Sequence, residues 1–161
     1  MYFGNEDKTM LFLERLIDSA NNELTIYITK STKREPTIEE NNDLSKGNDQ
    51  LLKMLKNSTM IIPDYEELYK IYFENYIIYQ TRNESFTLYD SDEVRLGQGL
   101  ILFNKSKLLD HLYEFTPFIS DDPGNEYPPG KWKHYGIYTA NNIIDVISHK
   151  EPIIEKVKRT V

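Results

Sequence analysis

The chain contains no cysteine, which excludes disulfide staples, thiolate metal sites and a thiol nucleophile. No apolar run approaches the ~18 residues that a membrane helix requires. Met1 to Lys8 holds no basic stretch leading into an apolar one, so no signal peptide is expected. These absences together predict a cytoplasmic protein with no membrane association.

The signatures of known chemistry are equally scarce. Gly97-Gln-Gly99 is the one glycine pair that invites a phosphate-loop comparison, yet it lacks the third glycine, the lysine and a helix directly behind it. A turn or bulge between strands is the simpler expectation. Asp90-Ser-Asp92-Glu93 and Asp121-Asp122 are acidic, but Val94 stands at the third ligand position of a calcium loop and no glycine follows at the sixth. His111, His134 and His149 form no short metal-ligand spacing. There is no Gly-x-Ser-x-Gly elbow for a serine nucleophile. Neither a cofactor nor a metal is expected.

What is present defines an ordinary globular chain with an uneven surface. At 161 residues, a single domain burying roughly 70% of its unfolded surface is expected. The composition, 39% hydrophobic with twelve tyrosines, is rich enough to offset the entropy of ordering. The net charge is −7, and Asn83 to Gly130 accounts for −6 of it, with nine acids against three bases. Such a stretch repels a phosphate backbone, so nucleic acid is not an expected partner. A basic protein surface would be attracted to it.

Local patterns give an order of elements. Met10, Leu13, Ile17 and Ala20 recur at helical spacing and predict a helix over Asp7 to Ala20. Leu24, Ile26 and Ile28 alternate and predict a strand over Glu23 to Thr29. Lys30 to Asn48 is polar and is expected to be an exposed, mobile connection with a short helix after Pro36. A short helix over Gln50 to Lys56 follows. Asp64 and Glu67 have capping-box spacing and predict a helix to about Glu74. Tyr76 to Gln80 and Ser85 to Tyr89 are expected to form a hairpin. Strands at Glu93 to Leu96 and Leu100 to Phe103 lead to a helix capped by Asn104 or Ser106, running from Lys107 to Phe115. A closing hairpin joins Trp132 to Thr139 with Ile143 to Ser148 across Ala140-Asn-Asn142. Ser148, Glu151 and Pro152 predict a C-terminal helix. The class is α+β: a mainly antiparallel sheet with helices packed against it.

Ser120 to Tyr135 combines turn residues, acids and the aromatics Tyr127, Trp132 and Tyr135. Aromatic anchors within a charged rim are what a protein-binding hot spot needs. The expected partner-binding residues are therefore Asp90, Asp92, Glu93, Asp121, Asp122, Glu126, Tyr127, Trp132 and Tyr135. Trp132 is either an anchor of that surface or a core residue at the start of a strand. The run from His134 to Ser148, His-Tyr-Gly-Ile-Tyr-Thr-Ala-Asn-Asn-Ile-Ile-Asp-Val-Ile-Ser, followed by Glu151-Pro-Ile-Ile, resembles bacterial immunity proteins, which block a toxin made by the same cell. The resemblance covers the last quarter of the chain. It implies an inhibitor that covers a partner's active site without catalysis. The alternative is a small metal-independent hydrolase or nuclease in which His134 and His149 act as general base and acid.

Overall fold

Leu24, Ile26 and Ile28 point to one side of a strand and are entirely buried, which fixes the face on which the molecule closes. The computed structural model describes residues 9–115 and 132–159. Strands β1 (Leu11–Asp18), β2 (Leu24–Arg34), β3 (Met60–Phe73) and β9 (Ile153–Lys156) form one antiparallel sheet in the order β1-β2-β3-β9. Strands β4 (Ile78–Asn83), β5 (Val94–Leu96), β6 (Leu100–Lys105), β7 (Lys133–Tyr138) and β8 (Asn142–Ser148) form a second, in the order β4-β8-β7-β6-β5. Every pairing is antiparallel. The α+β class holds, with two sheets rather than one.

The sheets bury their facing sides in one core. Leu24, Ile26, Ile28, Ile71 and Phe73 from the first meet Leu100, Tyr135, Ile137, Ile144 and Val146 from the second. Each aliphatic or phenyl side chain removed from water there contributes about 1.5–3 kcal/mol. One end is tied by Asp18, whose carboxylate accepts hydrogen bonds from the hydroxyls of Tyr76 (2.8 Å) and Tyr79 (3.4 Å). That bond raises the Tyr76 hydroxyl to about 12, with burial adding to it.

The first expected helix is strand β1. Leu11 and Leu13 face inward, Glu14 is an extra residue in a bulge, and Leu16 faces inward again opposite Ile26. The bulge sets the inward residues three apart and breaks the period of two, and Met10 and Ile17, which completed the helical spacing, are exposed. The expected helix after Asp64 is likewise strand. Asp64 accepts from the amide of Glu66 at 3.0 Å, a local turn where the β2–β3 register shifts between Thr29 and Ser31. Leu68 and Tyr72 cover one face of β3 while Tyr69, Ile71 and Phe73 cover the other, so the alternation is hidden. The C-terminal segment is strand β9, paired with Tyr69 to Tyr72. Ser148 accepts from the amide of Lys150 at 3.1 Å and so makes a turn, not a helix cap. The expected Tyr76 to Tyr89 hairpin is absent, because β4 runs through Thr81-Arg-Asn and pairs with β8.

Three helices fall where the polar patterns placed them: α1 (Ile38–Ser45), α2 (Asp49–Leu55) and α3 (Lys107–Phe115). Lys30 to Arg34, expected in the polar connection, continues β2 instead. Thr37 and Glu40 form a reciprocal capping box at α1. Glu40 also accepts from Arg34 at 2.8 Å, and these bonds hold its carboxyl at about 2. Asn48 caps α2 through the amides of Gln50 and Leu51. The closing hairpin β7–β8 forms as expected, with Tyr138 opposite Ile143.

Gly136 of β7 lies opposite Asp145, and a β-carbon added there would stand 2.8 Å from Tyr138 Cε2 and 3.0 Å from Phe103 Cε2. Both rings would have to move. Gly136→Ala should therefore cost about 1–3 kcal/mol, read as a lower midpoint in chemical denaturation with an unchanged m-value.

Candidate functional site

The second sheet is covered on its outer face as well as its inner one. With Ile144, Val146, Tyr135 and Ile137 facing the core, alternation sends Ile143, Asp145 and Ile147 of β8 and His134, Gly136 and Tyr138 of β7 outward. Asp145 is nonetheless 1% exposed and His134 2% exposed. Helix α3 packs over β7 on this side.

A carboxylate that deep needs partners for its charge. Asp145 Oδ1 accepts from His134 Nε2 at 3.1 Å, Oδ2 accepts from Gln80 Nε2 at 3.0 Å, and Arg82 Nη2 forms an ion pair with Oδ2 at 3.0 Å. Burial raises the Asp145 carboxyl, but the bonds from His134 and Gln80 and the charge of Arg82 outweigh it, and the group stays below its ordinary value. The imidazole of His134 lies flat on Phe103, with centroids 3.9 Å apart and planes 4° from parallel. Its Nδ1 lies 2.6 Å from Ser106 Oγ, which accepts from the amide of Leu109 at 3.1 Å and so caps α3. With the amide donating to Ser106, the hydroxyl hydrogen is free to donate to Nδ1. His134 then carries its proton on Nε2 and donates to Asp145.

Serine, histidine and aspartate in a chain are the residue types of a nucleophilic relay. Here Ser106 is 3% exposed and already serves as the helix cap, so the chain fastens α3 to the sheet. Beside it opens a cleft of about 230 Å³, floored by Phe103, His134 and Asp145. Gln80 and Arg82 of β4, Arg95 of β5 and Lys107 of α3 wall it, and Thr87, Leu88, Asp90 and Glu93 form its lip. The Arg95 guanidinium sits 4.9 Å over Tyr89 and 5.6 Å over Phe103.

The expected binding residues divide. Asp90 and Glu93 border the cleft and are engaged: Asp90 pairs with Lys107, and Glu93 accepts from Arg95 at 2.9 Å. The Asp90 carboxyl is held below its ordinary value by the bond from Lys107 and the amide of Asp92. Asp92 is exposed, 3.9 Å from Lys107. Trp132 is half-buried and stacks on Tyr113 of α3, centroids 5.2 Å apart. Tyr135, expected at the surface, packs in the core with its ring 5.5 Å from Phe73, because its position on β7 faces inward. Asp121, Asp122, Glu126 and Tyr127 lie outside the described residues.

Of the histidines, His134 spends both ring nitrogens on Ser106 and Asp145, and His149 lies beyond the end of β8 with a buried Nδ1 that has no partner. His111 rests against Phe115. Among the described residues no group of three or more His, Asp or Glu side chains is placed to hold a metal, and no helix is long and apolar enough to cross a membrane.

Asp145 is marked in the sequence only as a lone acid inside Ile143-Ile-Asp-Val-Ile147. Phe86 and Leu88, expected on a strand, lie instead at the end of the one-turn 3-10 helix Glu84–Phe86 and just after it. No family model matches the chain, and no curated protein or solved structure matches it.

Because its folded-state carboxyl is depressed, Asp145 contributes stability that is complete above about pH 5 and is lost as pH falls through the folded value. Asp145→Asn should cost about 1–3 kcal/mol at neutral pH, since the buried donors of His134 and Gln80 lose a charged acceptor while Arg82, 39% exposed, can turn to water. The gap from wild type, measured by urea denaturation, should close progressively below pH 5.

Proposed function

We propose that the protein is a binding inhibitor of the immunity type, which neutralises a toxin or enzyme with a basic surface by covering its active site. The observation that carries this is the strip after β4, where Phe86 is 86%, Leu88 93% and Tyr89 55% exposed. Glu84 precedes the strip, and Asp90, Asp92 and Glu93 follow it. Apolar side chains so open to water, inside an acidic rim, are the composition of a hot spot. Over residues 84–114 six acids stand against three bases, so the surrounding field is negative. A basic partner complements it.

The strip is also positioned. Asn83 caps the one-turn 3-10 helix Glu84–Phe86 through the amide of Ser85 at 3.0 Å, and the Thr87 hydroxyl donates to the Asn83 carbonyl at 3.2 Å. Anchors held in place lose less entropy when a partner closes over them. On this reading the protein acts in the cytoplasm of the cell that makes the toxin, without a cofactor.

Purification from the native cell should retain one basic protein whose activity is lost in the complex and restored on separation. Phe86→Ala and Leu88→Ala should each speed dissociation by roughly 30-fold, equivalent to about 2 kcal/mol, with the melting temperature unchanged. Asp92→Asn should slow association, and that loss should shrink above ~0.15 M salt. Unchanged affinity in both alanine variants would remove the strip from the interface.

A further inference from the structure

Among the described residues each sheet ends in two edge strands, β1 and β9 in the first and β4 and β5 in the second. An edge presents unpaired N–H and C=O groups that can template another strand, and proteins commonly blunt it with a bulge, charges or short length. Three of these four edges are blunted in that way. Strand β1 breaks its register at the bulge between Leu13 and Arg15. Strand β9 has four residues, two of them the charged Glu155 and Lys156, and β5 has three. Strand β4 carries none of these devices. Its six residues, Ile78 to Asn83, run without proline in unbroken register with β8, and its one charge, Arg82, is paired with Asp145.

The bonds around the β7–β8 turn fix which groups this edge presents. The Thr139 amide donates to the Asn142 carbonyl at 2.9 Å, and the Glu84 amide donates to the Asn141 carbonyl at 3.1 Å. Bonded pairs alternate along an antiparallel ladder, so Asn142, Ile144 and Val146 bond β7, while Ile143, Asp145 and Ile147 bond β4. Their partners on β4 are Arg82, Gln80 and Ile78. The N–H and C=O groups of Tyr79, Thr81 and Asn83 therefore point off the sheet. In agreement, the Asn83 carbonyl accepts from the Thr87 hydroxyl outside the ladder. Thr81 and Asn83 are exposed, and among the described residues no group bonds the backbone of Tyr79 or Thr81 on that side.

We infer that β4 is the contact through which two copies of this chain associate, antiparallel about a two-fold axis at Thr81, into a weak dimer whose second sheet runs on from one copy to the other. Charge and fit both favour a second copy. On a chain of net charge −7, β4 is an edge with no uncompensated charge, so two copies meet there with little repulsion. A two-fold axis presents the same strand to itself. Thr81 then faces Thr81 and Tyr79 faces Asn83, each pair exchanging the N–H and C=O groups that point outward. Six paired residues make a small contact against the ~1,200 Å² of a stable complex, so the dimer forms at high micromolar protein. Phe86 and Leu88 lie beyond the paired residues, so the inference does not rest on the toxin-binding reading.

Sedimentation velocity of the intact chain from ~10 µM to ~1 mM, at ~0.15 M salt, should show monomer giving way to dimer. Amide exchange followed by NMR should slow at Tyr79, Thr81 and Asn83 over the same range, while the amides of β9 keep their rates. Thr81→Pro removes an outward N–H and leaves the bonds to β8, so it should weaken association at least tenfold. Thr81→Lys keeps the backbone groups but sets like charges opposite each other, and should weaken association with part of the loss recovered at ~1 M salt. A chain that stays monomeric at ~1 mM overturns the inference and leaves the edge to an extended segment of another protein. A dimer in which those three amides exchange at the monomer rate, or one that both Thr81 variants leave intact, overturns it equally. Should Thr81→Pro lower the melting temperature substantially, Thr81→Lys and the wild-type exchange rates decide.

Discussion

A single buried carboxylate organises the outer half of this molecule. Asp145 lies in the middle of an apolar strand at 1% exposure, where an uncompensated charge costs several kcal/mol. It stays charged only because β4 and β7 bring Gln80, Arg82 and His134 to it. His134 passes the connection to Ser106, and Ser106 caps the helix that covers the sheet. Register, helix placement and the floor of the cleft thus share one electrostatic requirement. The carboxylate, the imidazole and the hydroxyl each find their partners, and only Nε of Arg82 is left buried without one, so the network comes close to the full satisfaction under which buried polar groups specify a structure.

The inner half depends on a different force. Ile26, Ile28, Ile71 and Phe73 are fully buried against Ile137, Ile144 and Val146, with no polar side chain needed between them. Strand β8 belongs to both halves. Ile144 and Val146 face the apolar core, while Ile143, Asp145 and Ile147 face the covered outer side. A strand buried on both faces cannot alternate polar with apolar, so its sequence becomes a continuous apolar run interrupted only where the network needs a charge.

That arrangement explains which parts of the fold were legible. The β7–β8 hairpin was readable because Ala140-Asn-Asn142 marks its turn, and α3 because Ser106 stands at its cap. Strand β2 was readable because one face is deeply buried and the other is mixed. Strand β1 was not, because Met10 and Ile17, which completed the helical spacing with Leu13, are exposed, while the bulge at Glu14 sets the inward residues at Leu13 and Leu16 and hides the alternation. Strand β3 was not, because aromatic and aliphatic residues occupy both of its faces. The acids Asp90 and Glu93 were found from composition, but their pairing with Lys107 and Arg95 depends on strands meeting across the sheet. The exposure of Phe86 and Leu88 was invisible, since nothing in a local pattern separates a surface anchor from a core residue.

The functional proposals and the fold meet at the segment joining β4 to β5. Its apolar residues face solvent, Asp90 and Glu93 border the cleft, and β4, from which the segment leaves, is tied to Asp145 through Gln80 and Arg82. The central claim is therefore the proton arrangement of that network, and the nitrogen shifts of the His134 ring test it most directly. Long-range proton–nitrogen spectra at neutral pH should show the Nε2–H tautomer, with a slowly exchanging Hε2 proton donated to Asp145. A proton on Nδ1, or an Hε2 that exchanges as fast as that of an exposed histidine, would contradict the account.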